Sequence, residues 1–130
     1  MRMRKKKNSG SRLFACERLL YQPGEEVLSD PGAVMGMAGS EVYLEIGAGK
    51  GGFACAMAKR HSDVAYFAME RVTDCVVLAA ERAKNSGSDK LRFIIDTADN
   101  LTKIFAKGSV DAIFLNFSDP WSKKGYAKRR

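Results

Sequence analysis

A glycine-rich turn at residues 45–52, with the sequence EIGAGKGG, carries the plainest chemical signal in the chain. Glycine has no side chain, so a turn built from it lets a ligand approach the backbone N–H groups closely. A phosphate-binding P-loop would need glycine at position 44 and serine or threonine at position 51, but this chain has Leu44 and Gly51. The turn therefore predicts a ligand-binding loop of another kind.

Two other glycine patterns fit the same turn, and an acidic residue distinguishes them. Gly47, Gly49 and Gly52 match the Gly-x-Gly-x-x-Gly fingerprint of dinucleotide-binding proteins. Glu45, Gly47, Gly49 and Gly51 match a second pattern, an acidic residue followed by Gly-x-Gly-x-Gly. This pattern resembles the first motif of Rossmann-like S-adenosylmethionine methyltransferases. A carboxylate here would repel a pyrophosphate but attract the ammonium group of a methionine. The turn therefore favours S-adenosylmethionine over NAD as the cofactor.

Two polar positions follow the turn at the ends of later predicted strands. Glu70 lies 23 residues after Gly47, where a carboxylate can accept both ribose hydroxyls of an adenosine. The alternative is that Glu70 caps the helix that follows it. Residues 96–100, DTADN, could meet the edge of an adenine or cap the next helix, and spacing alone selects no single residue among them.

A third polar segment, residues 116–124 with the sequence NFSDPWSKK, follows the fourth predicted strand. It contains Asp119 fixed by a following proline, then an aromatic residue and two lysines. A doubly wound sheet places its reacting substrate at this point, which favours Asp119 as a group at the reaction site. The alternative is a simple turn with Trp121 packed beneath it.

The elements that must position these groups alternate in the order β-α-β-α-β-α-β, which predicts an α/β fold with a parallel sheet covered on both faces. Ligands in such sheets bind at the carboxyl ends of the strands. We expect a basic arm and lead-in segment over residues 1–40 and an α/β domain over 41–130. The predicted strands are 42–46, 65–69, 91–95 and 110–115, and the predicted helices are 51–60, 71–85 and 100–105.

The charge of the chain is concentrated at its two ends. Residues 1–7 and 123–130 each hold five Lys or Arg and no acid, whereas the other 115 residues hold 12 basic and 15 acidic groups. A polyanion would therefore bind the ends. One histidine and three scattered cysteines predict no metal site, and the short apolar runs predict no membrane span. A cytoplasmic location is the default expectation.

Three stretches together resemble the bacterial tRNA (guanine-N7)-methyltransferase family. They are LEIGAGKG at 44–51, Glu70, and LNFSDPWSKK at 115–124 followed by the basic residues that end at Arg130. The opening MRMRKKK also resembles members of that family. The resemblance covers nearly the whole chain in the order and spacing of the family.

The resemblance implies transfer of a methyl group from S-adenosylmethionine to N7 of the guanine at position 46, in the variable loop of tRNA. It implies that tRNA is the partner and that Asp119 is the catalytic residue. The residues that it places around the cofactor are Glu45, Gly47, Gly49, Glu70, Thr97 and Asp119. The residues that it places on the RNA are Lys123, Lys124, Lys128, Arg129 and Arg130.

The resemblance also implies that residues 41–130 are the N-terminal portion of a methyltransferase domain and that the chain is truncated at its C-terminus. Sheets of this class have seven strands, whereas only four are predicted before Arg130. We therefore expect a Rossmann-like sheet in the order 3-2-1-4 with later strands missing, an exposed apolar edge on strand four, and weak or no activity. Three alternatives stay open at this point: an amino-group methyltransferase, an NAD oxidoreductase, and an RNA-binding or partner module without catalysis.

Overall fold

The computed structural model describes residues 9–116, which form four strands, four α-helices and three short 3-10 helices. The strands are β1 (Glu41–Ile46), β2 (Val64–Glu70), β3 (Leu91–Ile95) and β4 (Ala112–Leu115). The α-helices are α1 (Ser9–Phe14), α2 (Gly52–Arg60), α3 (Thr73–Asn85) and α4 (Leu101–Ile104). The 3-10 helices are Glu17–Leu19, Pro31–Met35 and Ala98–Asn100.

The four strands form one parallel sheet in the order β3-β2-β1-β4, which confirms the predicted α/β fold and strand order. In the register of the sheet, Leu44 of β1 lies between Phe67 of β2 and Ile113 of β4. Because β1 and β2 are the two inner strands, the loops that follow them lie at the middle of the carboxyl edge of the sheet.

Both faces of the sheet are covered by apolar side chains, as the continuous apolar runs predict. On one face, α2 and α3 pack over Tyr66, Ala68 and Phe93. On the other face, α4 and the segment around Pro31–Met35 pack over Phe67 and Ile94. Strand β2 is buried on both faces from Val64 to Met69, so it cannot shift without disturbing both layers.

Helix α3 and strand β4 each begin two residues later than predicted, and in both cases a side-chain carboxylate binds a backbone N–H group near that start. Helix α3 begins at Thr73, not at residue 71, because the Glu70 carboxylate accepts the N–H of Val72 at 3.0 Å. Strand β4 begins at Ala112, not at residue 110, and just before it the Asp111 carboxylate accepts the N–H of Val42 at 2.8 Å. Carboxylates compete with regular secondary structure for nearby N–H groups in this way.

The lead-in segment packs against the sheet. Tyr21 donates its backbone N–H to the carbonyl of Phe93 at 2.9 Å, which covers the outer edge of β3. Arg12 of α1 forms a two-pronged ion pair with Glu81 of α3, with distances of 2.6 and 2.8 Å. The pair is partly exposed, so it orients α1 more than it stabilises the fold.

The opposite edge of the sheet is apolar and open within residues 9–116. On β4, Ile113 is 49% exposed and Leu115 is 62% exposed. These exposures agree with the predicted apolar edge. No helix within that range is long and apolar enough to cross a bilayer.

A substitution at Gly51 tests how tightly the start of α2 packs against α3. Gly51 has φ of +87°, and an added Cβ would lie 2.6 Å from the Cβ of Ala79. Gly87 has φ of +75° but nothing within 4 Å of an added Cβ, so Gly87→Ala is the matched control. We expect Gly87→Ala to cost about 1 kcal/mol and Gly51→Ala about 3 kcal/mol, since only the second adds overpacking to backbone strain. Urea unfolding measures both, and equal losses would contradict the close packing.

Candidate functional site

A cavity of about 480 Å³ opens at the carboxyl ends of the strands, where a parallel sheet binds its ligand. The glycine turn after β1 forms one wall through Gly47 and Gly49. The loop after β2 forms the next wall through residues 69–72, and the loop after β3 closes the far side through residues 96–99. Asn116, which follows β4, completes the lining on the other side of the turn.

The glycine turn is held against the end of β2 by three backbone N–H groups. Gly47 and Ala48 both donate to the carbonyl of Met69, at 2.9 and 3.1 Å. Gly49 donates to Oε1 of Glu70 at 2.9 Å. Gly47 and Gly49 have φ of 83° and 58°, in the left-handed region that favours glycine. The spacing of the glycines therefore follows from the path of the backbone.

Glu70 joins two loops through its two carboxylate oxygens. Oε1 accepts the N–H of Gly49, and Oε2 accepts the N–H of Val72. The second bond holds Val72, the N-cap residue of α3, but α3 has no side-chain cap on its first turn, so Glu70 does not cap this helix in the usual sense. A carboxylate oxygen can accept more than one hydrogen bond, so these two bonds leave capacity for a ribose hydroxyl. Glu70 lines the cavity, and its contact with a ribose stays a prediction.

Glu45 lies behind the cavity wall. Its side chain is only 1% exposed, and its Oε2 accepts the amide Nδ2–H of Asn116 at 2.9 Å. Tyr66 of β2 donates its hydroxyl to Oε1 at 3.3 Å. Burial raises the pKa of Glu45, while the hydrogen bonds from Asn116 and Tyr66 act in the opposite direction. Burial and the nearby Glu45 charge also raise the pKa of Tyr66, so Tyr66 remains a donor.

The loop after β3 presents polar groups to the far side of the cavity. Asp96 Oδ1 accepts the backbone N–H of Thr97 at 2.7 Å and the amide of Asn100 at 2.6 Å. Asn100 therefore bonds back to Asp96 and makes no side-chain cap on α4, one of the alternatives for this segment. Thr97 and Asp99 line the cavity, and the adenine contact predicted for Thr97 is untested.

The structure thus brings four of the predicted cofactor residues to one cavity: Gly47, Gly49, Glu70 and Thr97. Glu45 is adjacent but covered. The other predicted residues lie outside residues 9–116, and their roles stay predictions. These residues are Asp119, Lys123, Lys124, Lys128, Arg129 and Arg130. Within the described range, no group of three His, Cys, Asp or Glu side chains is arranged to hold a metal ion.

Among the lining residues to which the sequence assigns no cofactor role are three with reactive or polar side chains, namely Arg71, Cys75 and Asn116. The signal for Asn116 is indirect. The predicted order 3-2-1-4 places the end of β4 beside the end of β1, so the residue after β4 must lie near Glu45. Cys75 had no such signal, because a helical pattern does not show which turn of α3 meets the cavity.

The fold and cavity define a Rossmann-like α/β domain of the methyltransferase type, and a family comparison identifies it further. A family model described as "Putative methyltransferase" matches residues 40–130. The chain belongs to this methyltransferase family, as its motifs predicted. S-adenosylmethionine is the methyl donor that such a family implies, in agreement with the predicted cofactor.

Curated relatives carry a more specific name. The chain is 42% identical over 89 residues to the tRNA (guanine-N(7)-)-methyltransferase of Halalkalibacterium halodurans, which covers 68% of this chain and 40% of the relative. It is 33% identical over 117 residues to the enzyme of the same name from Bacillus velezensis, which covers 85% of this chain and 54% of the relative. The chain therefore spans about half the length of the curated relatives that it matches.

Two solved structures share the fold at low sequence identity. A structure titled as an antibiotic-related methyltransferase aligns with a TM-score of 0.56 at 18% identity, over 82% of this chain and 55% of that one. An rRNA methylase from Streptococcus thermophilus aligns with a TM-score of 0.52 at 16% identity, over 98% of this chain and 64% of that one. Both confirm the Rossmann-like methyltransferase fold and nothing finer.

Replacing Glu45 by glutamine tests the cost of burying its carboxylate. Because burial raises its pKa above the ordinary value of 4.5, the folded chain binds this proton more tightly than the unfolded chain. The resulting stability is present below that ordinary value and is lost as the pH rises through the folded pKa. Glutamine cannot titrate, so the free energy of unfolding of the parent should fall relative to Glu45→Gln as the pH rises above the ordinary value of 4.5.

Urea unfolding of both chains at several pH values measures this difference. Glu41→Gln, at the exposed start of the same strand, controls for loss of a charge from β1. A parent-minus-variant difference that does not change with pH would contradict the buried, titrating carboxylate.

Proposed function

We propose that this chain binds S-adenosylmethionine in the cavity at the carboxyl edge of its sheet and contributes to methylation of guanine N7 in tRNA, at position 46 of the variable loop. The observation that carries the proposal is the cavity itself, in which the glycine turn and Glu70 meet in a chain of a methyltransferase family. The names of the relatives support guanine N7 as the acceptor and tRNA as the substrate.

The cavity fits an elongated cofactor that lies across the carboxyl ends of the four strands. An adenosine between the loops after β2 and β3 would meet Glu70 at its ribose and residues 96–99 at its base. The methionine end would then cross the glycine turn toward β1 and β4. Backbone N–H groups at the start of α2 suit the carboxylate of a methionine. The negative charge of Glu45, behind the cavity wall, suits its ammonium group.

The proposed reaction needs little from the protein beyond position and charge. When bound, the cofactor supplies a methyl group on a cationic sulfur. Guanine N7 already has a lone pair in the plane of the ring, so the N–C bond forms as the S–C bond breaks, and no proton is removed first. Positive charge passes to the guanine ring, where Asp119 would offset it and align the base.

The two basic ends would bind the tRNA phosphates, with Lys123 and Lys124 next to the reaction site. Binding of this kind weakens steeply with salt because counterions are released from the RNA. A cytoplasmic location stays a prediction. For the 130-residue chain by itself we expect slow transfer, because its relatives are about twice as long.

Two cysteines provide a direct test of the cofactor site. Cys75 lines the proposed cofactor cavity, whereas Cys55 lines a separate cavity of about 450 Å³ between the C-terminal ends of α2 and α3. Both thiols are half-buried, and burial raises the pKa of each, so Cys55 is a matched internal control. We expect S-adenosylhomocysteine at ten times its Kd to slow alkylation of Cys75 by about tenfold and to leave Cys55 unchanged.

Peptide mapping by mass spectrometry after timed alkylation reads both sites in one sample. Protection of neither cysteine, or equal protection of both, would count against this cavity as the cofactor site.

The methylated product distinguishes the proposed function from its alternatives. The chain is incubated in excess over unmodified tRNA with methyl-labelled S-adenosylmethionine, and the digested nucleosides are analysed by mass. We expect label in 7-methylguanosine at position 46. Asp119→Ala should lower the single-turnover rate by about a hundredfold or more while S-adenosylhomocysteine binding is retained.

Three other outcomes would favour the alternative functions. Label on an exocyclic amino group would favour an amino-group methyltransferase. Binding of tRNA without binding of S-adenosylhomocysteine would favour a non-catalytic RNA-binding module, and tighter binding of NAD would favour an oxidoreductase.

A further inference from the structure

The Asn116 side chain links the buried carboxylate of Glu45 to the cavity. Glu45 is 1% exposed and is absent from the cavity lining, whereas Asn116 is part of that lining and donates its amide to Glu45. The two residues come from different strands, since Glu45 lies near the end of β1 and Asn116 follows β4. The sheet register brings these strand ends together, with Ile46 paired to Leu115.

The contact with Glu45 determines which way the Asn116 amide faces. An ionised carboxylate only accepts hydrogen bonds, so the group 2.9 Å from Glu45 Oε2 must be the Nδ2–H donor of the amide. The carbonyl oxygen Oδ1 is then directed away from Glu45. A hydrogen bond from the backbone N–H of Asn116 to the carbonyl of Ile46, also 2.9 Å, fixes the backbone of Asn116.

Tyr66 holds the other side of the carboxylate. Its hydroxyl lies 3.3 Å from Glu45 Oε1, so β1, β2 and the end of β4 are joined through one buried acid. A donor on each oxygen leaves Glu45 little freedom to rotate into the cavity. The negative charge behind the amide also polarises Asn116 and strengthens its carbonyl oxygen as an acceptor.

We propose that the Asn116 carbonyl oxygen is the direct acceptor for the ammonium group of the S-adenosylmethionine methionine moiety, and that Glu45 is a positioning residue that acts through Asn116. The proposal rests on the proposed function. It replaces a direct contact between Glu45 and the ammonium, which the sequence suggested, with a contact through the amide. The strand order supports it, because a nucleoside beside Glu70 between β2 and β3 leaves its amino-acid end next to β1 and β4.

A pair of ligands separates this role from general damage to the site. S-adenosylhomocysteine carries the ammonium group, whereas 5′-methylthioadenosine has the same nucleoside and lacks the amino-acid end. Calorimetry on the full 130-residue chain measures both. We expect Asn116→Leu, which is close to asparagine in size and keeps Glu45 covered, to weaken S-adenosylhomocysteine by about tenfold to a hundredfold. It should change 5′-methylthioadenosine by less than about twofold.

Asn100→Leu is the matched control, next to the lining residues 96–99 on the other side of the cavity. Asn100 donates its amide to Asp96 Oδ1 at 2.6 Å, which is the same kind of amide–carboxylate pair in the loop after β3. Because that loop would face the nucleoside, we expect Asn100→Leu to weaken both ligands by the same factor. Thermal unfolding identifies any variant that fails to fold, and Asn116→Ser is then measured in its place.

A double-mutant cycle tests the part of the proposal that concerns Glu45. Glu45→Gln should weaken S-adenosylhomocysteine in the parent but have no further effect in the Asn116→Leu background, because its influence passes through the amide. A further loss in that background would show that Glu45 meets the ammonium directly and would overturn the positioning role.

The remaining outcomes separate this proposal from the proposed function. A parent that binds both ligands, with Asn116→Leu weakening them equally, overturns the role of Asn116 and leaves the cofactor assignment intact. A parent that binds neither ligand overturns the cofactor assignment and this proposal together. Selective loss of S-adenosylhomocysteine in Asn116→Leu, with equal losses in Asn100→Leu, supports both.

Discussion

The backbone N–H groups of the glycine turn are bound by the end of β2, and the geometry of the site depends on this attachment. The carbonyl of Met69 accepts two of them, and the Glu70 carboxylate accepts a third while also holding the loop before α3. A side chain with a Cβ would be strained at the positive φ of Gly47 or Gly49. The turn, the start of α2 and the start of α3 are therefore positioned as one unit around the cavity.

A second constraint is the burial of charge beneath that unit. Glu45 loses the solvation of its carboxylate and recovers part of it from Asn116 and Tyr66. Such a group is costly for folding unless its hydrogen bonds are retained. Its negative charge would act across the Asn116 amide on a cationic ligand. Buried ionisable groups with perturbed pKa values, such as Glu45, are concentrated at functional sites.

Much of the fold could be predicted because its signals are local in sequence. The run VAYFAM reads as a strand buried on both faces, and Val64–Glu70 is such a strand. The pattern predicts the starts of α3 and β4 two residues earlier than they are, because the carboxylates of Glu70 and Asp111 bind nearby N–H groups. A residue pattern shows which segments are apolar, but it does not show which N–H group a side chain will bind.

The same distinction between local and long-range signals applies to the candidate site. Periodicity and glycine spacing in the sequence determined the parallel α/β sheet, the glycine turn, and Glu70 as a group at a strand end, because these features follow from short-range pattern and backbone sterics. The strand order and Thr97 came from the resemblance of the whole sequence to its family. Only the tertiary structure decided that Glu45 is covered, that Asn116 contacts it beside the cavity, and that Cys75 lines the wall. The first two facts depend on the packing of β1 against β2 and β4, and the third depends on the packing of α3 over the sheet, so all three depend on contacts between residues that are far apart in the chain.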